Sequence, residues 1–202
     1  LATLVLKAAD VPEDYVALVP YGGGRIVAAK LLAGEIDAGA VSWGDVTDYV
    51  KAGELRGLVT LWTGGIKVDG MVIPEASKYF PKLEKYVGTL NVYWGIGIPR
   101  EVPDTVVKKI VEAVRYAVNT VDFKKAVEER GQMFAIYWGE ESDILFSRME
   151  SVIAWAMYEV GAAKVSPDKF NIPRIEEWKW PPYEELTKIK PWPEGLPEIP
   201  KT

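Results

Sequence analysis

The chain has neither cysteine nor histidine, and each absence removes a class of chemistry. Without histidine there is no Ser–His–Asp triad and no imidazole base near neutral pH. Without cysteine there is no thiol nucleophile, disulfide, zinc ribbon or Cys-ligated iron–sulfur cluster. Cysteine-free composition suits a secreted protein without disulfides as well as a cytosolic one, so it leaves the compartment open. Side-chain amides are scarce: Asn91, Asn119, Gln132 and Asn171 are the only four. Beside plentiful Glu and Lys, that is the compositional leaning of a thermophile protein. No run reaches the ~18 apolar residues of a membrane helix; the best stretch, Ile153 to Val165, is broken by Glu159 and Lys164. The sequence opens at Leu1 with no basic, apolar and small-residue leader pattern, which reads as a processed terminus or a fragment boundary. Basic clusters are missing too. The net charge of −5 and pI near 5.0 supply no cationic face to displace counterions, so no nucleic-acid partner is expected.

What remains is an ordinary globular composition: 202 residues, 49% hydrophobic and 26% charged. That length is enough for one large domain or two small ones. Helix, strand and turn signals alternate through the first third. Leu1 to Ala9 reads as a helix, Tyr15 to Pro20 as a buried strand, and Arg25 to Ala33 as a helix with Ile26, Ala29, Lys30 and Ala33 on one face, stopped by Gly34. Ile36 to Val41 reads as a second strand, Ser42 to Ala52 as a helix stopped by Gly53, and Leu55 to Trp62 as a third strand. This order predicts an α/β chain with a mainly parallel sheet. Thr63 to Asn91 is less regular. Val92 to Ile98 reads as a strand, followed by a helix capped by Asp104 with a Val107, Ile110, Val111, Val114 and Val118 stripe. A helix capped by Asp122 and closed by Gly131, a strand over Phe134 to Trp138, and a long helix over Glu140 to Val160 stopped by Gly161 complete the body. Ile144, Leu145, Met149, Val152, Ile153 and Ala156 are its expected inward residues.

From Asn171 on, seven Pro and three Trp change the character of the chain. Proline at this density excludes regular helix and favours an extended arm. Such an arm can serve as a proline-rich recognition peptide or pack its tryptophans on its own globule or on a neighbour.

Two strand-to-helix turns carry the candidate chemistry. Tyr21, Gly22, Gly23 and Gly24 form a glycine turn whose expected positive φ angles would aim N–H groups at one point, beside the positive end of a helix dipole. A carboxylate or phosphate fits such a place, although a tight turn alone also accounts for the glycines. Gly-Lys-Ser/Thr and Gly-x-Gly-x-x-Gly are both absent, which excludes the common nucleotide loops. Ser42, Trp43, Gly44 and Asp45 open the next helix, where Ser42 and Asp45 have capping-box spacing and Ser42 can also face a ligand. In an open α/β sheet both turns lie at the carboxyl ends of the strands, where ligands bind. Thr63-Gly64-Gly65 would share that edge. No arrangement of acids supports general acid/base work, so no catalytic residues, no metal and no cofactor are expected, and the chain reads as a non-enzyme.

The ordered series Val19-Pro-Tyr-Gly-Gly-Gly24, Ala33-Gly-Glu-Ile-Asp-Ala-Gly39, Ser42-Trp-Gly-Asp45, Tyr49-Val-Lys-Ala-Gly-Glu-Leu-Arg56 and Tyr93-Trp-Gly-Ile-Gly-Ile-Pro99 resembles the substrate receptors of tripartite tricarboxylate transporters, the Bug-type solute-binding proteins. The resemblance implies a two-lobed, type II periplasmic-binding-protein-like α/β fold that closes on a small organic carboxylate and delivers it to membrane transporter subunits. It implies a periplasmic or extracellular, membrane-associated location. Residues 1–93 would form part of the second lobe, 94–175 the returning part of the first, and 176–202 a Trp/Pro-rich tail outside the family pattern. The implied ligand-facing residues are Tyr21, Gly22, Gly23, Gly24, Ser42, Trp43 and Asp45. The family's N-terminal portion is missing, so the first lobe would be incomplete in this chain, to be filled by a second chain or a missing N-terminal segment. The rival reading is a structural or assembly subunit reusing the binding-protein fold, with the tail docking on a neighbouring chain.

Overall fold

A computed structural model describes residues 1–196, apart from the side chain of Glu13. Residues 197–202 of the expected tail lie outside the described residues. Contacts divide the chain into two units: Leu1–Val92 with Val152–Ser166, and Tyr93–Ser151 with Pro167 onward.

The first unit holds α1 (Ala2–Ala8), α2 (Gly24–Leu32), α3 (Trp43–Lys51) and a hairpin of β1 (Ile66–Val68) and β2 (Met71–Ile73). The stop glycines work through one motif. After α2, Gly34 takes φ +68°, its N–H bonds Leu31 O at 3.0 Å, and the Glu35 N–H bonds Lys30 O at 3.0 Å. Both bonds satisfy carbonyls that the helix end leaves open, in a backbone conformation that costs glycine least. Gly53 ends α3 in the same way. Two apolar faces then meet. Ala28 of α2, Val46 and Val50 of α3, and Ile66 and Ile73 of the hairpin form a buried cluster, with Val41, Trp43, Leu55, Trp62 and Met71 packed around it. The buried face of α2 runs through Gly24, Val27, Ala28 and Leu31, not through Ile26, Ala29, Lys30 and Ala33. Ile26 is half exposed, because the turn after the helix brings Gly39 against the Val27 and Leu31 side chains. The hairpin lies inside the stretch expected to be irregular. Its Asp69-Gly70 turn has φ of +46° and +79°, which matches the right-handed twist of paired strands.

All five expected strands differ from expectation in one respect. Among the described residues, 15–20, 36–41, 92–98 and 134–138 belong to no ladder, and of 55–62 only Thr60 is paired, in a single parallel bridge to Glu75. The sole sheet among those residues is the local hairpin. An apolar run becomes a strand only when a neighbouring backbone takes up its N–H and C=O groups along its length, and among the described residues none of these runs meets one beyond the contacts of Thr60 and Leu61. Side chains of the 15–20 and 92–98 runs stay largely in solvent: Tyr15 is 81% exposed and Trp94 85%.

In the second unit, α4 (Asp104–Asn119) buries Val107, Val111 and Val118 against Val102, Val114, Phe134, Ile136, Trp138, Trp192 and Leu196. Two caps move by a residue or two. Pro103 holds the N-cap position of α4, which leaves Asp104 in the first turn, 2.6 Å from Lys190 Nζ. Thr120, not Asp122, caps α5 (Val121–Glu129) by accepting the Phe123 N–H at 3.2 Å. Gly131 and Gly161 end α5 and α6 (Glu140–Glu159) with the same paired bonds seen after α2.

The tail lies along the first half of α6. Trp180 Nε1 donates to Glu140 at 3.2 Å, Trp192 Nε1 to Asp143 at 2.6 Å, Trp178 Nε1 to Ser147 at 3.2 Å and the Tyr183 hydroxyl to Glu150 at 3.0 Å. Positions 140, 143, 147 and 150 step by three and four, so the acceptors form one stripe on the helix. Each large ring lays its apolar body down while its polar edge finds a partner. Burial, reinforced by the bond to Glu150, pushes the Tyr183 phenol above its ordinary pKa. The tail also explains why serines are buried on α6: Ser147 receives Trp178, and the Ser151 hydroxyl donates to Pro173 O at 2.7 Å. Met149, Val152 and Ala156 face inward as expected, whereas Ile144, Leu145 and Ile153 are half-buried. Within the arm, Glu184–Lys188 winds into a short 3-10 turn.

Candidate ligand-binding site

The two expected turns meet in the first unit. Gly24 is the first residue of α2, and Asp45 lies in the first turn of α3. A Cβ added to Gly24 would stand 2.1 Å from Asp45 Oδ2 and 2.8 Å from its Cγ. The carboxylate therefore rests directly on the glycine, and any larger residue at position 24 would expel it. It sits beside the N-terminus of α2, where the first N–H groups have no partner within the helix and the dipole favours negative charge. Arg25 Nε lies 3.8 Å from Asp45 Oδ1, but its side chain is 89% exposed, so this pair adds little.

This geometry revises the role of the glycines. Gly22, Gly23 and Gly24 are not among the positive-φ residues, and Gly23 has φ 177°, extended backbone open to any residue. The turn needs glycine at position 24 for close approach, not for left-handed backbone. Gly22 and Gly23 have open space around them. Tyr21 is half-buried and close enough to Lys30 to be felt electrostatically. The Lys30 ammonium is held above its ordinary pKa chiefly by its 2.6 Å bond to Glu35.

Ser42 occupies the N-cap position of α3, but its hydroxyl caps nothing. The expected capping box is not made, because Asp45 turns to Gly24 instead. Ser42 is left exposed at the mouth of the turn. Trp43 departs from a ligand-facing role, since it packs on the cluster of Ala28, Val46, Val50, Ile66 and Ile73. The turn at 63–65 is occupied by its own chain. Glu75 accepts the Gly64 N–H at 2.6 Å and also the Ser77 hydroxyl. These two bonds, Ser77 first, hold the Glu75 carboxyl below the usual range.

A concavity of about 570 Å³ lies elsewhere, on the second unit, lined by Glu112, Arg115, Tyr116, Asn119 and Thr120. It is an open dent along the exposed side of α4. Two of its polar groups are used locally: Asn119 Nδ2 donates to Arg115 O at 2.7 Å, and the Thr120 hydroxyl donates to Ala117 O at 2.7 Å. At the paired turns, by contrast, the first turns of α2 and α3 meet through Gly24 and Asp45. Among the described residues, no three acidic side chains are grouped to hold a metal, and no helix is long and apolar enough to cross a membrane. No family profile, curated protein or solved structure matches the chain.

Proposed function

We propose that the chain is an extracytoplasmic receptor, or part of one, for a small organic carboxylate, working with membrane subunits of a tripartite tricarboxylate-type transporter. In this reading the fold is the two-lobed, type II binding-protein kind, with its first lobe completed from outside these residues, and the protein is periplasmic or extracellular. The observation that carries the reading is the Gly24–Asp45 contact, which puts the first turns of α2 and α3 side by side. Two helix N-termini with free N–H groups, and the open Ser42 hydroxyl beside them, make a receiving place for an anion that needs neither arginine nor metal. The Asp45 carboxylate stands against Gly24 at that place. An incoming carboxylate displaces it or shares the donors with it, so binding includes a movement of the Asp45 side chain.

The rival reading, a docking arm on an assembly subunit, has less in its favour. The indole N–H groups of Trp178, Trp180 and Trp192 and the Tyr183 hydroxyl are all engaged by α6 of the same chain. Thermal melts of the full chain with citrate, succinate and acetate test the receptor reading. A bound carboxylate at 100 times its Kd stabilises the fold by about 2.7 kcal/mol. No stabilisation by any carboxylate, relative to chloride at equal ionic strength, would overturn it.

A further inference from the structure

The outer part of the arm is attached in an unusual way. Among the described residues, no backbone–backbone hydrogen bond joins residues 178–196 to α4 or α6. Every bond between them uses a side chain, and the anchors differ in depth. Ser147, which receives Trp178, is buried, whereas Glu140 and Glu150, which receive Trp180 and Tyr183, are exposed. Lys190 adds a pair with exposed Asp104 and a 3.2 Å bond to Val102 O. Segments with few buried contacts and no backbone pairing to their support open at lower free energy than the fold as a whole.

Two features tie the anchors together. Trp178 and Trp192 stand near opposite ends of the arm, yet their acceptors, Ser147 and Asp143, are one turn apart on α6. The arm therefore doubles back, and both ends let go of the same patch. Pro181, Pro182, Pro191 and Pro193 stiffen the chain between them, so that detachment at one end loads the other. Asp143 is the shared point: it accepts the Trp192 N–H and the Arg100 guanidinium, which itself lies over the indole. The α4 stripe beneath keeps other cover. When Trp192 and Leu196 leave Val107, Val111 and Val118, the side chains of Val102, Val114, Phe134, Ile136 and Trp138 remain packed there. We propose that residues 178–196 are a strap that opens from α4 and α6 as one cooperative unit, latched by Asp143, while the rest of the second unit stays folded. Opening uncovers the valine stripe of α4 and the acceptor stripe of α6 together. This does not depend on the carboxylate reading.

Hydrogen exchange of the full chain, followed by NMR, reads the indole and backbone N–H groups separately. In the unmodified chain the Trp178 and Trp192 indoles are expected to show protection of about 10² to 10³, equal within about threefold, and at least about tenfold below the Val111 and Met149 amides. Asp143→Asn keeps an acceptor oxygen but removes its charge, and is expected to speed exchange at both indoles about tenfold. Exchange of the two amides should stay within about threefold of the parent. Indoles protected as strongly as those amides would show that the arm leaves only when the unit unfolds, and would overturn the proposal. Acceleration of Trp192 alone in Asp143→Asn, or of the Val111 amide along with the indoles, would also overturn it. The comparison in the unmodified chain stands whether or not the variant folds.

Discussion

Trp192 is the point where the tail is most firmly held, and its replacement gives the sharpest test of the clasp. The indole lies against the Val107, Val111 and Val118 cluster, and its N–H donates to Asp143 Oδ2 at 2.6 Å. The Arg100 guanidinium stands 4.8 Å from the ring centroid and bonds the same carboxylate oxygen. Asp143 and Arg100 are both about three-quarters shielded from water, so these contacts are screened less than surface pairs. A half-buried indole is worth about 2 kcal/mol of apolar transfer, the charged hydrogen bond about 1.5, and the cation–π contact about 0.5. Because the three share partners they do not add fully, and Trp192→Ala is expected to cost about 3 kcal/mol. For a chain of this size that lowers Tm by about 6–12 °C. Trp192→Phe keeps the ring and the cation–π contact but loses the N–H, so about half of that loss is expected. Thermal unfolding followed by circular dichroism at 222 nm reads both. A Trp192→Ala variant within about 0.5 kcal/mol of the parent would refute the clasp.

Gly24→Ala is expected to push Asp45 off the α2 terminus and disturb both turns, whereas Gly23→Val, in extended backbone with open space, should leave the amide spectrum of the unit intact; two-dimensional NMR of each variant compares them. Asp45→Asn removes a like charge from the anion place. With a ligand carboxylate about 6 Å away and an effective dielectric near 40, affinity should rise about five- to tenfold by calorimetry, and a fall would contradict the assignment. Glu75 has a folded pKa below its unfolded value, so its bonds to Gly64 and Ser77 add stability above the unfolded carboxylate range near pH 4.3. That stability is lost as pH falls through the folded pKa. The Tm of Glu75→Gln should therefore depend less on pH between about 3 and 5 than that of the parent.

Helix ends were legible because their signals are local: Gly34, Gly53, Gly131 and Gly161 each stand where expected, and each closes a helix by the same two bonds. Caps were legible to within two residues, since Pro103 and Thr120 compete with Asp104 and Asp122 for the same carbonyl and N–H geometry. Strands were not legible. The apolar runs at 15–20 and 92–98 read as strands, but pairing is decided by a distant neighbour that periodicity does not reveal. The one sheet among the described residues is a hairpin whose Asp69-Gly70 signal lies between Ile66 and Ile73. Of the glycines at 22–24, Gly24 alone is closely packed. Counting glycines suggests left-handed backbone, while the requirement at Gly24 is room for a carboxylate twenty-one residues away. Trp43 shows that an aromatic in a helix's first turn can pack on the core, which its position in the sequence does not reveal.

Binding of a small carboxylate where α2 and α3 begin, as proposed, is open to direct test. Titration of the isotopically labelled full chain with citrate and succinate, followed by amide chemical shifts, tests it residue by residue. Saturable shifts are expected at Gly22 to Arg25 and Ser42 to Asp45, weakened by Gly24→Ala. Saturable shifts clustered instead around Glu112 to Thr120, or none with either acid, would contradict it.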